Sequence, residues 1–258
     1  MRPKTKKILF LFTTLIFMFF YIPIIILMAF SFNDSKVGTV WTGFTFDWYK
    51  SLFSNDQIIS AVTNSLIIAV ITTLIATVFG TLAALAIHRY NFPGKKAFNF
   101  LFYIPVVIPD IIVAVALLAL YGWLDITLGI STVFPGHVAI TISYVMLVVI
   151  ARLAGLDASL EEAAKDLGAN EWQTFWKVTF PLIFPGVLAG ALLAFTISLD
   201  EFVISYFTTG PGSDTLPVLV YSMVRLGVSP EINALSTIMV LLIVIMVVIT
   251  GRKMRVSK

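Results

Sequence analysis

Apolar residues fall in six long blocks along the chain, separated by shorter polar segments. The blocks run from Ile8 to about Phe32, then over about 60–88, 98–121, 134–152, 182–207 and 232–250. Each has about 20 or more residues, enough for a helix to cross ~30 Å of hydrocarbon. The fourth is the shortest. The first follows Arg2, Lys4, Lys6 and Lys7. It is too long for a signal-peptide core, and Met28 and Phe30 flank Ala29 where a small-residue cleavage site would be needed. It reads as a retained transmembrane helix that tolerates Pro23.

Basic residues orient the blocks, because cytoplasmic loops collect Lys and Arg. With the N-terminus inside, the inner segments hold Arg2, Lys4, Lys6, Lys7, Arg89, Lys95, Lys96, Arg152, Lys165, Lys177, Arg252, Lys253, Arg255 and Lys258, which is 14 of the 17 basic residues. Lys36, Lys50 and Arg225 fall outside. The split predicts six spans with both ends in the cytoplasm. Asp34, Asp47, Asp56, Asp125, Asp214 and Glu231 lie on the outer side. They suit a cationic solute, and they equally suit ordinary solvation of three loops. The first outer segment, about 33–59, is aromatic, with Trp41, Phe44, Phe46, Trp48, Tyr49 and Phe53 placed as interface anchors.

Composition narrows the class. Hydrophobic residues make up 59% of the 258 and charged residues 12%, about half the charge a soluble domain carries. Cysteine is absent, which excludes disulfides, Fe–S clusters, thiolate metal sites and cysteine nucleophiles. His88 and His137 are too few for a histidine metal site without help from carboxylates. No phosphate-binding loop is present, since Gly94-Lys95-Lys96 lacks the upstream glycine and the hydroxyl residue. There is no nucleophile–base cluster, no internal repeat and no feature suited to nucleic acid.

The polar stretch 153–181, LAGLDASLEEAAKDLGANEWQTFWKVTFP, is the long cytoplasmic segment. Ser159 with Glu162 predicts a capping box. Leu160, Ala163, Ala164 and Leu167 then form a narrow stripe on a short helix. Gly168 stops it as a C′ residue would. Asn170 with Gln173 predicts a second box, opening a helix with Trp172, Phe175 and Trp176. Small apolar residues rimmed by Glu161, Glu162, Lys165 and Asp166 suit insertion into a groove on a partner. A helix lying on lipid would instead want bulky apolar residues and a basic polar face. The second helix fits either setting.

Glu162-Ala163-Ala164, three residues, Gly168, nine residues, then Val178-Thr179-Phe180-Pro181 resembles the E-A-A, x3, G, x9, I-x-L-P loop of ABC importer permeases. Val178 and Phe180 depart conservatively from it. YIPIIILMAFSFNDS, IPDIIVAVALL and SLDEFVISYFTTGP are similar to the permease subunits of spermidine/putrescine importers. The resemblance implies an all-α polytopic membrane protein with the six-helix, type I importer (MetI-like) permease fold. It implies residues 1–59 as first helix and outer segment, 60–250 as permease domain with a coupling loop at 157–181, and 251–258 as a basic tail. It further implies separate cytoplasmic ATP-binding subunits that use ATP and magnesium, no cofactor on this chain, a second homologous permease subunit and an extracytoplasmic polyamine-binding protein. The setting would be a bacterial inner membrane. Glu162, Ala163, Ala164 and Gly168 would couple to the ATPase, with Glu171 adding a polar contact.

Three acids remain inside the apolar blocks, and intramembrane carboxylates point to function. Asp110 is near the middle of the third block and suits either a solute pathway or the cap of a helix break after Pro109. Asp200 lies ~28 Å along a helix from Pro181, and Glu201 follows it. On one helix these two would point ~100° apart. A polyamine needs carboxylates at separated points along an apolar slot, with aromatic faces adding cation–π attraction. Trp48, Tyr103 and Tyr206 are candidates, and Ser198 is a hydrogen-bonding neighbour. Ferric ion, thiamine or a sugar would be alternative solutes, although a sugar needs no acids. An ion-coupled secondary transporter is a second alternative, against which the cytoplasmic loop and the missing repeat weigh.

Overall fold

The computed structural model describes residues 3–35, 40–157, 159–226 and 230–256. Arg2, Lys36 and Lys258, used in the charge count, lie outside them. The described residues are helical, with one isolated antiparallel bridge between Asn33 and Phe44. The helices are α1 (Pro3–Phe30), α2 (Asp47–Ser54), α3 (Asp56–Arg89), α4 (Lys95–Val107), α5 (Asp110–Trp123), α6 (Ile130–Leu153), α7 (Ser159–Asp166), α8 (Glu171–Thr174), α9 (Phe180–Asp200), α10 (Val203–Thr208), α11 (Leu216–Leu226) and α12 (Pro230–Val256). A π-helical turn, Phe175–Thr179, joins α8 to α9.

Among the described residues, four unbroken helical stretches are long and apolar enough to cross a membrane: Thr5–Phe30, Asp56–Arg89, Ile130–Leu153 and Glu171–Asp200. The expected third span, 98–121, is not one helix. It breaks at Ile108-Pro109, and α4 and α5 meet at 104°, as a broken span or a re-entrant loop. Pro109 has no amide to donate, and the residue before a proline is pushed out of the helical region. Accordingly Ile108 is extended. The expected fifth span, 182–207, is also interrupted: α9 ends at Asp200, Glu201 is extended, and α10 restarts at Val203. The sixth block, 232–250, is helical and lies within α12.

The contacts divide the chain into two compact units, Met1–Ile59 with Leu219–Lys258, and Ser60–Val218. In the first unit α12 packs on α1 and α2. The Ser51 hydroxyl donates to Glu231 and ties α2 to the start of α12. Asn33 organises the aromatic segment. Its amide donates to the Val40 carbonyl at 2.8 Å, and its Oδ1 accepts from the Thr42 amide at 2.9 Å. Phe32 stacks on Phe44 with ring centroids 5.4 Å apart. The side chains of α1 stay exposed along most of its length, as a lipid-facing helix requires.

The second unit is built around α6, which runs antiparallel to α9. Its core joins Ala76, Ala83, Ala84 and Leu85 of α3 to Val145, Met146, Val149 and Leu153 of α6, and to Ile183, Val187 and Ala194 of α9. Helices in lipid gain little from burying apolar area against each other, so close backbone approach matters more. Val145 fills that role, lying between Gly80 of α3 and Gly190 of α9. A Cβ on Gly80 would sit 2.8 Å from the Val145 Cβ and 2.9 Å from the Ile142 carbonyl oxygen. Both obstacles are fixed to helix backbone, so neither can yield cheaply. Gly80→Val should therefore cost about 1–3 kcal/mol of overpacking, read as a lower thermal midpoint of the detergent-solubilised protein. An unchanged midpoint would show that α3 and α6 do not touch there.

Candidate functional site

Two arrangements concentrate chemistry in the second unit: an acidic cluster at the helix breaks, and the polar loop of α7 and α8.

At the first break Asp110 is the opening residue of α5 and is exposed. Helix α10 packs along α5, with Ile204 against Ala114, Val113 and Leu117. This brings Glu201 within electrostatic reach of both Asp110 and Asp200. The picture of Asp200 and Glu201 on one helix does not hold. Asp200 closes α9 with its side chain exposed, whereas Glu201 is half-buried and turns forward, its Oε1 accepting the Ile204 amide at 2.8 Å. Glu201 thus caps α10. Among the described residues no basic side chain forms an ion pair with any of the three.

Sequence reading passed over the residue that holds this break together. His137 of α6 is 1% exposed. Its Nδ1 lies 2.9 Å from Ser198 Oγ and its Nε2 lies 3.0 Å from Ser205 Oγ, one serine on each side of the interruption. The Ser205 hydroxyl donates to the Glu201 carbonyl at 2.9 Å. Ser205 must then accept from Nε2–H. In a neutral ring, with one donor and one acceptor nitrogen, that leaves Nδ1 to accept from Ser198. Ser198, expected beside the solute, is buried and already engaged in this bridge. The neighbouring Gly136 admits α10, since a Cβ there would lie 2.5 Å from Ile204 Cγ2.

The aromatic candidates are dispersed. Tyr103 is exposed on α4. Tyr206 is exposed on α10 and lies against Phe202, centroids 5.4 Å apart. Trp48 belongs to the first unit, where its indole donates to the Asn33 carbonyl at 2.7 Å and pins the outer segment.

The loop forms from local signals. Gly168 has φ +88°, a left-handed value that strains a residue with a Cβ. The Ala169 amide donates to the Ala164 carbonyl at 3.1 Å and the Gly168 amide to Lys165 at 2.8 Å, the paired bonds of a Schellman C-terminus. The second capping box is present, with Asn170 and Gln173 exchanging amides at 2.9 and 3.1 Å. The first is not. Ser159 is already helical, and the Asp157 carboxylate accepts the Ser159 amide at 3.0 Å. That bond holds the Asp157 carboxyl below the usual carboxylate range. Glu171 pairs with Lys165 at 2.6 Å across the Gly168 turn. The Glu171 carboxylate raises the Lys165 ammonium above its ordinary value. No side chain of α7 is buried, Glu162 and Ala163 are exposed, and Leu167 is 90% exposed. The helix therefore presents Leu160, Ala163 and Leu167 of its apolar stripe exposed, with Ala164 half-buried.

The family model for the binding-protein-dependent transport system inner membrane component matches residues 76–256. The chain belongs to that family. This transport component is 44% identical over 237 residues to the spermidine/putrescine transport system permease protein PotC of Escherichia coli (strain K12), covering 92% of this chain and 90% of that one. It is also 44% identical to the putrescine transport system permease protein PotI of the same strain, over 86% and 82% of the two chains. A solved bacterial ABC transporter involved in import of the polysaccharide alginate superposes with TM-score 0.77 at 21% identity, covering 99% and 98% of the two chains. That likeness bears on fold alone.

His137→Leu would leave the Ser198 hydroxyl without its partner inside the protein. It should cost roughly 1–3 kcal/mol, seen as a lower Tm in detergent. Full stability in that variant would mean the ring does not brace the break.

Proposed function

We propose that the chain is the permease subunit of an ATP-driven polyamine importer, six spans with both ends in the cytoplasm, forming half of a pathway with a second homologous permease. It is a transport subunit of the cytoplasmic membrane, and nucleotide hydrolysis belongs to partner ATPases. An extracytoplasmic binding protein delivers the solute, in keeping with the family's description. The observation that carries the solute class is the set of three carboxylates at adjacent helix breaks, without basic partners among the described residues. The two relatives named for spermidine and putrescine support it. A polyamine offers ammonium groups spaced along an alkyl chain, which separated acids beside apolar walls satisfy.

Glu162, Ala163, Ala164 and Gly168 form the knob that docks on the ATPase. The support is α7 itself, in which, among the described residues, no side chain is buried and Leu160, Ala163 and Leu167 are exposed. Gly168 sets the angle at which the knob is held. Glu171 steadies the turn through Lys165, which changes its part from a direct contact to an internal one. Asp110, Asp200 and Glu201 line the path, with Tyr103 and Tyr206 as aromatic neighbours. Ser198 acts from behind through His137, and Trp48 shapes the outer segment.

Two measurements test this reading. The affinity-purified component should bring an ATPase with it, and hydrolysis should rise with a loaded polyamine-binding protein rather than with ferric ion, thiamine or sugar. Recovery without any ATPase would refute it. Asp110→Asn and Asp200→Asn should each lower polyamine uptake by roughly tenfold or more, the scale of removing one charged partner from a bound cation, with assembly intact. Normal uptake in both would remove the acids from the path.

A further inference from the structure

Among the described residues α7 buries no side chain, so apolar packing cannot hold it to the membrane helices. One polar knot does. The Arg89 guanidinium, at the last residue of α3, pairs with Glu161 of α7, both side chains only partly exposed. The same guanidinium donates to Thr179 Oγ1 at 2.8 Å, and that hydroxyl donates to Glu161 Oε1 at 2.6 Å. Thr179 is fully buried and closes the π turn that leads into α9. Three elements therefore meet at three side chains: the end of one long helix, the exposed short helix and the start of another long helix. Charge-assisted bonds of this kind are short and directional. The cation also sits at the carbonyl end of α3, where the helix dipole favours it.

We propose that Arg89, Glu161 and Thr179 are positioning residues that convert displacement of α7 into joint displacement of α3 and α9. Glu161 neighbours the docking residue Glu162 but faces the protein and not the partner. Without the knot α7 is tethered by the connection that leaves α6 at Ala154 on one side and by the Gly168 turn on the other. A push on it would then bend those connections and leave the long helices where they are. The inference rests on the ATP-driven reading above.

The test uses the whole assembly in lipid vesicles, with binding protein and putrescine or spermidine, measuring polyamine moved per ATP hydrolysed. Arg89→Ala should lower that ratio by about tenfold, within the usual range of a coupling energy, while hydrolysis continues. Glu161→Arg should lower it similarly, and Glu161→Arg combined with Arg89→Glu should restore most of it. Thr179→Val, which deletes one hydroxyl, should give a smaller fall, and Arg89→Lys a partial one. An unchanged ratio in Arg89→Ala, or an exchanged pair no better than its single variants, would overturn the proposal. So would a ratio that simply follows Tm across the set, since that is loss of fold. A wild-type assembly that moves polyamine with no ATPase present would sink the functional reading itself.

Discussion

A peptide amide or carbonyl that loses its helical partner inside hydrocarbon has no water to turn to. This chain stops helices twice within its apolar blocks, at 107–110 and at 200–203, and much of its interior chemistry answers that constraint. At the first break Pro109 contributes no amide, and its carbonyl accepts the Ile112 amide at 2.9 Å. At the second, Glu201 supplies an acceptor for the Ile204 amide, Ser205 satisfies the Glu201 carbonyl, and His137 joins the serines on either side. One of the acids attributed to the solute therefore has a backbone duty as well. Glu201 gives one oxygen to the fold, whereas Asp110 and Asp200 remain exposed at the ends of their helices.

The rest of the second unit divides into a stiff frame and a light appendage. The frame is α3, α6 and α9, locked where Val145 meets two glycines and where Arg152 donates to the Leu182 carbonyl at 2.9 Å. The appendage is α7, which has surface and charge but almost no core of its own. A segment so constituted is poorly suited to stabilising the fold and well suited to being gripped from outside. The knot of Arg89, Glu161 and Thr179 is the side-chain link between the two.

What could be read from the chain was local. The loop's glycine stop and its second cap depend on residues within a few positions of each other, and both form as their spacing predicts. The apolar blocks mark the helices to within a few residues. Hydropathy averaged over a block is blind to the breaks, because apolar residues resume on the far side of Ile108-Pro109 and of Asp200-Glu201. Proline is a partial guide: the break after Pro109 that the sequence allows does form, whereas Pro23, Pro105, Pro135 and Pro185 all lie inside helices. Ser159 lost its capping role to Asp157, a competitor two positions upstream that the spacing rule alone does not weigh. The contacts that matter most were illegible for a different reason. His137 and Ser198 are 61 positions apart, and Arg89 and Glu161 are 72 apart. Only the antiparallel course of α6 and α9, and the return of the loop to the end of α3, bring them together.

The π turn at 175–179 carries a consequence for chain length. Such a turn holds one residue more than an α-helical one, and each residue advances a helix by ~100°. Shortening the stretch between Gly168 and Pro181 by one position would let it relax into regular helix. Because the wider turn absorbs the extra residue, that relaxation would leave the docking knob at nearly its present bearing, whereas one more residue in regular α-helix would swing it by ~100°. The wide turn between the glycine and the proline thus stores one residue of slack, which can be lost without turning the knob.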